Sequence, residues 1–275
     1  MRVPYLRLWL GSLLSSACVF ASVYGQVNQP VDGLFATNQM LTRTALAEPP
    51  LREADLLYSK RIERLIDTRE KINLPFRHPQ KGFFLALEAG LQAGEVVLYN
   101  PAFPAFSQPY TAEEIREQLY RRDTITVTDP NTGCEYPQVV TNDFDPDRIL
   151  RYKVKEITYF DRQTSTQRTR IIGMAPLVSQ DTELGGQPLE VILGWIYWPH
   201  AREWFDRQPY HLDATSQPVI SWGDIMAMRR FSSYITKADN TTDQPLKAKH
   251  KGRDLLIQSN KIARELSNRE HDVWS

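Results

Sequence analysis

Cysteine is scarce in this sequence, because only Cys18 and Cys134 occur among its 275 residues. Cys18 lies in an N-terminal segment that we expect to be removed, which would leave Cys134 alone. A single cysteine cannot form an intramolecular disulfide, so cross-links are excluded as a source of stability. The fold must therefore be stabilised by its own apolar core or by assembly with other subunits.

An excess of charge of one sign is also absent, since 33 basic residues balance 33 acidic ones. Removal of Arg2 and Arg7 with the N-terminal segment would leave 31 basic residues against the 33 acidic ones. A near-neutral, evenly mixed surface gives no electrostatic footprint for nucleic acid. The sequence also contains no internal repeat and no low-complexity tract.

The one long apolar run, Leu8 to Tyr24, follows two arginines and is interrupted by serines. It is shorter than the roughly 20 apolar residues that a membrane-spanning helix needs. Val23 and Gly25 occupy the −3 and −1 positions for cleavage before Gln26. We therefore expect residues 1–25 to be a secretory signal peptide, cleaved near Gly25/Gln26, and the mature protein to reside in the periplasm.

Lipidation at Cys18 is an alternative reading of the same segment, because Leu14 to Cys18 loosely resembles a lipobox. Two features argue against it. Ser15 stands where an aliphatic residue is expected, and Val19 and Phe20 continue the apolar stretch beyond the cysteine.

The mature chain divides into a polar arm, residues 26–50, and a single α+β domain, residues 51–275. Apolar residues spaced by threes and fours predict a long first helix from Leu51 to Leu74, with Arg69 interrupting its apolar stripe. Arg69 there would be a snorkelling side chain or part of a salt bridge or interface. Asp67 and Lys71 would form a favourable i,i+4 pair.

The later elements follow in the order helices, strands, helices, which favours an α+β fold with a central antiparallel sheet of about four strands. Alternating patterns predict a strand at 124–128, a hairpin over 150–177 with a bulge near Glu156, and a buried central strand at 189–198, with a long loop at 129–147. Helices are predicted at 83–91, after a Thr111–Glu114 capping box, at 199–208, at 221–235 behind a Ser221–Asp224 cap, and at 252–268.

No catalytic or metal-binding pattern is present in the sequence. The histidines outside the signal are scattered, and none has the spacing of a zinc site. No nucleophile elbow, S-x-x-K motif or phosphate-binding glycine loop occurs. We therefore predict no enzyme activity, no metal and no cofactor. A periplasmic hydrolase or small-ligand binder is the alternative, and it would need a concave polar site with convergent titratable groups.

Aromatic residues are abundant, with 6 Trp, 12 Tyr and 11 Phe. A hydrophobic core would explain this abundance. An assembly surface would also explain it, because Trp, Tyr and Arg concentrate at protein–protein interfaces. By residue type and position, the candidate partner-interface residues are Tyr58, Arg61, Arg69, Trp198 and Trp204.

Six segments, in order and with compatible spacing, resemble the gliding-motility protein N family (GldN, also PorN). They are Arg52–Arg61 continuing at Ile66–Asn73, Arg170–Gly173, Trp195–Pro199 with Ala201–Arg202, Ser221–Asp224, Arg230–Ile235 and Glu270–Trp274. The resemblance spans roughly Leu51 to Trp274. One departure is the C-terminus, where the family often has an acidic residue and Tyr after the Trp and this chain has only Ser275.

This resemblance implies a non-enzymatic structural subunit of a periplasmic ring in the type IX secretion and gliding-motility machinery. The ring would associate with the outer membrane by binding a K-type lipoprotein (GldK/PorK). Its other implied partners are the M-type inner-membrane motor subunit (GldM/PorM) and further copies of itself, with no cofactor.

Overall fold

A large antiparallel sheet with helices on one face forms the centre of the molecule. The computed structural model describes residues 49–119, 121–128, 135–142, 144–180, 189–210, 220–240 and 243–272. The predicted signal peptide, nearly all of the predicted arm, Cys18 and Cys134 lie outside these residues.

The described residues form nine strands and five α-helices. The strands are β1 (Leu56–Asp67), β2 (Leu98–Tyr99), β3 (Arg121–Thr128), β4 (Glu135–Asn142), β5 (Ile149–Asp161), β6 (Thr166–Gln180), β7 (Leu189–Ile192), β8 (Trp195–Tyr197) and β9 (Tyr234–Ala238). The helices are α1 (Phe83–Gln92), α2 (Ala112–Leu119), α3 (Trp198–Arg207), α4 (Trp222–Ala227) and α5 (Gly252–Asp272).

Seven of these strands form one sheet, in the order β2-β8-β6-β5-β1-β9, with β7 also pairing with β6. Strands β3 and β4 form a separate two-stranded sheet. All of the strand pairs are antiparallel. The predicted α+β class is therefore confirmed, while the main sheet is larger than the expected four strands.

One face of the main sheet is apolar and lies under α1, α3 and α4. Register places Ile66 beside Tyr152, Val154 beside Met174 and Met174 beside Ile196, so these residues share a face. All of them are buried in one cluster with side chains of the three helices. At its centre the ring of Phe83 stacks on Phe205 with centroids 4.6 Å apart. We call this side the core face.

Helix α5 covers the β1–β9 end of the sheet with a second apolar cluster. Leu266 packs with Ile62 and Ile235, and all three are buried. The Ile235 amide donates to Ser259 Oγ of α5 at 2.7 Å, so the helix also satisfies a backbone group at the edge of β9. The predicted last helix is confirmed, and it ends four residues later than expected.

The predicted helix over 51–74 is wrong, because most of this segment is strand β1. Its C-terminal half alternates between the two faces, with Ile62, Arg64 and Ile66 on the core face and Glu63 and Leu65 on the other. Arg64 is neutralised by a buried carboxylate, described below. Leu65, on the opposite face of the strand, is only 8% exposed. The apolar residues therefore occur on both faces of the strand, and their spacing imitates a helical stripe.

The predicted helix over 221–235 is also too long. The Ser221–Asp224 capping box is confirmed, since Ser221 N donates to Asp224 Oδ2 at 3.1 Å and Asp224 N to Ser221 Oγ at 3.0 Å. The helix ends at Ala227, and Arg229 has a φ of 54° that leaves the helical region. The chain then forms β9, because Ile235 and Thr236 are β-branched and a vacant edge of β1 lies beside them.

Two further predictions about strands are corrected by the topology. The segment 129–147 contains β4, which pairs with β3 along its whole length. The segment 189–198 is not a buried central strand, because β7 pairs with β6 alone and Leu189 is 63% exposed. Only β8, with Trp195 and Ile196, is buried as expected.

Other local predictions are confirmed. Thr111 and Glu114 form the expected capping box before α2. Strands β5 and β6 form the predicted hairpin, with a register shift between Lys155 and Glu156. The extra residue of this bulge is Ile172 on β6.

Candidate partner-binding surface

No catalytic or metal-binding group stands out among the residues that the structure describes. They contain no cluster of three or more His, Cys, Asp or Glu side chains that could hold a metal ion. Within the same residues, no helix is long and apolar enough to cross a membrane.

One small cavity, of about 170 Å³, lies beside the start of α1. In its wall, Arg77 pairs with Asp147 at 3.2 Å, and His78 Nδ1 accepts bonds from the amides of Gln80 and Lys81 at 3.2 Å each. The cavity is smaller than the roughly 300 Å³ at which ligand pockets begin. In it, His78 Nδ1 serves to fix a turn.

The sheet face opposite the core face is rich in charged residues, and we call it the open face because no described α-helix packs on it. Strand register assigns its charged residues, which are Arg61, Glu63, Asp67, Arg151, Lys153, Lys155, Asp161, Arg168, Arg170, Lys237 and Glu190. Cations outnumber carboxylates in this set. Positive side chains at alternate positions of β5 are the reason, because Arg151, Lys153 and Lys155 all point to this side.

Asp67 anchors the β1 end of the open face. Its carboxylate accepts bonds from Arg69 Nη2 at 2.6 Å and from Arg151 Nε at 3.1 Å, and Arg151 also pairs with Glu190 at 2.7 Å. The hydrogen bond from the Arg69 side chain is the main reason that the pKa of Asp67 lies far below its ordinary value of 3.8. Burial opposes this shift, and the Arg69 amide and Arg151 add to it. Asp67 thus stays ionised and fixes the two guanidinium groups.

Two lysines of the open face are also neutralised by carboxylates. Lys153 Nζ lies 2.6 Å from Glu63 Oε2, and Lys237 Nζ lies 2.8 Å from Asp243 Oδ1. These pairs leave little net charge at those two positions.

Lys155 is held by aromatic rings instead. Its Nζ lies 3.9 Å from the centroid of the Trp195 ring and 5.8 Å from that of Phe106. In the part of the chain that the structure describes, no carboxylate lies within salt-bridge distance of Lys155. Burial lowers the pKa of Lys155, Lys153 and Lys237 lower it further, and Glu63 opposes the shift. Its positive charge is therefore poorly compensated.

Four aromatic rings cluster beside this lysine, and we call them the aromatic platform. They are Tyr99, Phe106, Trp195 and Tyr197. Phe106 contacts the other three, with centroid distances of 5.7 Å to Tyr99, 6.4 Å to Trp195 and 5.2 Å to Tyr197. It can lie there because β6 has a glycine beneath it. A Cβ on Gly173 would come within 2.5 Å of the Phe106 ring.

A further buried carboxylate, on the core face, has a structural role. Glu156 is 1% exposed and lies 3.0 Å from Arg64 Nε and 2.6 Å from Arg229 Nη2. It joins β5 to β1 and to the chain that follows α4. Neither arginine is therefore available to a partner without breaking this group.

The structure places three of the predicted interface residues on or beside β1. The Tyr58 hydroxyl donates to Gln167 Oε1, and the Tyr58 ring stacks on Phe160 with centroids 6.1 Å apart. Arg61 is exposed on the same strand. Arg69 follows the strand and is bound to Asp67, which is the salt bridge that we considered from the sequence.

The two predicted tryptophans lie in α3. Trp198 is 4% exposed and stacks on Phe205, so it offers little surface in this chain. Trp204 is half-buried, and its Nε1 donates to the Ala86 carbonyl at 2.8 Å. The structure therefore does not bring these two residues together with Tyr58, Arg61 and Arg69 in one patch.

Sequence reasoning missed the grouping of Lys155, Trp195 and Phe106. The alternation of Arg151, Lys153 and Lys155 with apolar residues was visible and predicts a positively charged strand face. The aromatic neighbours come from β8 and a loop, and only the pairing of β6 with both β5 and β8 brings them together.

Comparison with known proteins gives one match and one absence. Residues 51–275 match the family described as gliding motility associated protein GldN. No curated protein matches the chain. The matched region contains the whole of the main sheet, the open face and α5, and we conclude that the chain belongs to the GldN family of gliding motility associated proteins.

Proposed function

We propose that this chain is a non-enzymatic structural subunit of a periplasmic ring in the type IX secretion and gliding-motility machinery. It binds an outer-membrane K-type lipoprotein (GldK/PorK), contacts the M-type motor subunit (GldM/PorM), and associates with further copies of itself. The mature protein lies in the periplasm after removal of residues 1–25 and is associated with the outer membrane through the lipoprotein.

The single observation that carries this proposal is the family match over residues 51–275, which links the chain to gliding motility and type IX secretion. The character of its surfaces is compatible with a binding role. A broad sheet face carries charged and aromatic residues, and protein interfaces combine these residue types.

The proposed contacts use different parts of the molecule. Tyr58, Arg61 and Arg69 form a candidate contact region along β1, where Arg61 and Arg69 are exposed and Leu57 is 40% exposed. Trp204 and Trp198, both in α3, are candidates for a second contact, with Trp204 the more exposed of the two. Repeated head-to-tail contacts between unlike surfaces close into a ring when the rotation between subunits permits.

Affinity purification of the tagged mature chain, followed by light scattering of the eluted material, tests this proposal. We expect the K-type lipoprotein to co-purify in an assembly of many subunits. Arg61→Glu should reduce its recovery, because a charge reversal at an interface rim opposes association. Arg264→Glu, on the exposed side of α5, is the matched control.

A monomer that elutes without the lipoprotein would overturn the proposed function. Equal recovery of the lipoprotein with both variants would show that Arg61 is not in the interface, and it would not contradict the ring assignment.

A further inference from the structure

We propose that the open face is the docking surface for an extended, acidic segment of a different protein, with Lys155 as its central contact. This inference deepens the proposed function, since it rests on the chain being a binding subunit and specifies where and by what chemistry one partner is recognised.

Charge on this face is unbalanced. Its carboxylates are engaged, because Asp67 and Glu190 pair with arginines, Glu63 pairs with Lys153, and Asp161 accepts bonds from Gln163 and Thr164. The ammonium of Lys155 has no carboxylate partner among the described residues. A negative group that docks here therefore meets a positive charge that the described residues do not neutralise.

The Lys155 ammonium is held in position by an aromatic ring. The Trp195 ring, 3.9 Å away, holds it on one side and restricts its movement. An ammonium has three donors and accepts none, so an aromatic ring does not satisfy its hydrogen-bonding capacity. Burial lowers the pKa of this lysine, and a carboxylate beside it would raise the pKa again.

The cations of this face are regularly spaced. Arg168 and Arg170 are alternate residues of β6 on this face, so they repeat every two residues, or about 6.8 Å. Lys155 has the same spacing from Lys153 on β5, although Lys153 is held by Glu63. An extended segment with acidic side chains at alternate positions has the same repeat, whereas a small anion would use only one of these sites.

A symmetric contact between the open faces of two copies of this chain does not fit these charges. It would oppose one set of excess cations to another, and like charges across an interface disfavour association. The complementary surface is therefore acidic, which the open face of a second copy is not.

Carbodiimide cross-linking of the assembled cell envelope tests the proposal, because this reagent joins a lysine amine to a contacting carboxyl group without a spacer. We expect mass spectrometry to identify an amide between Lys155 and an Asp or Glu of another polypeptide. We also expect Lys155→Gln to lower the recovery of that polypeptide about tenfold, and Lys155→Arg to retain most of it.

Lys261→Gln, on the exposed side of α5, is the matched control and should leave recovery unchanged. Thermal unfolding of the variants reports whether the chain is still folded. Because Lys155 is only half-buried and has no carboxylate partner among the described residues, the glutamine variant should unfold at a temperature close to that of the wild-type chain.

The possible results separate this inference from the proposed function. Coupling of Lys155 to a protein outside the secretion machinery would support the docking surface and contradict the ring assignment. Unaltered partner recovery with Lys155→Gln, coupling of other lysines but not Lys155, or coupling of Lys155 only to copies of this chain would overturn the inference.

Discussion

At the scale of single residues, the molecule places charges inside a sheet and neutralises them there. Glu156 lies on the core face with two arginines, and Asp67 lies at the other face with two more. A buried carboxylate without such partners would carry a large desolvation cost. These ion pairs therefore fix neighbouring strands in one register.

The pKa of Asp67 gives a pH-dependent contribution to stability. Because the folded-state pKa is lower than the unfolded one, the contribution is complete above the ordinary pKa of 3.8 and is lost as the pH falls towards the folded-state value. Asp67→Asn should lower the free energy of unfolding at pH 7 by about 1–2 kcal/mol, a modest value because Arg69 is half exposed.

Urea unfolding of both chains between about pH 7 and pH 3 checks this prediction. The difference in stability should be constant at neutral pH and should shrink below about pH 4. Asp239→Asn, at an exposed position, is the control. A difference that grows on acidification would contradict the assigned pairing.

At the scale of elements, β1 explains why a helix was predicted where a strand lies. Its core face carries Arg64 among apolar residues, and its open face carries Leu65 among charged ones. A strand whose faces are both partly covered loses the simple alternation of apolar and polar residues. The decisive partner, Glu156, is 92 residues away from Arg64, so no local pattern contains it.

Helix α5 was predictable because only one side of it packs against the sheet, so its apolar residues keep a regular helical spacing. Leu266 is 5% exposed in the cluster with Ile62 and Ile235, whereas Leu256 on the same helix is 47% exposed. Leu266→Ala should therefore lower the free energy of unfolding by about 2–4 kcal/mol, since it leaves a cavity. Leu256→Ala should change it by less than about 0.5 kcal/mol.

Chemical denaturation followed by tryptophan fluorescence measures both values on one scale. Equal effects of the two substitutions would show that α5 is not packed on β1 and β9 as described.

At the scale of the whole molecule, the sequence was sufficient for the α+β class and for the capped helices, whose determinants are local. It was insufficient for the size of the sheet, because β1 and β9 join it through pairings that cross most of the chain. The open face was not predicted for the same reason. Arg61 and Arg69 were found by residue type, whereas Lys155 and Trp195 become neighbours only through the register of three strands.

The two ends of the domain depend on each other in this topology. A chain that ends at residue 232 would lack β9 and α5, which would expose Ile62 and leave one edge of β1 without hydrogen-bonding partners. We expect it to lose cooperative unfolding and near-ultraviolet circular dichroism. A soluble fragment with the near-ultraviolet spectrum of the complete chain would show that the β1–β9 pairing is dispensable.

This dependence of β1 on β9 also affects the order in which the strands can pair. Thr236 Oγ1 donates to the Glu63 carbonyl across 173 residues, so β1 must wait for the last part of the chain before its second edge is covered. An uncovered strand edge is prone to aggregate, and charged side chains along it reduce the risk. We expect Lys60, Arg61, Glu63 and Arg64 on β1 to reduce aggregation at this edge before β9 pairs with it.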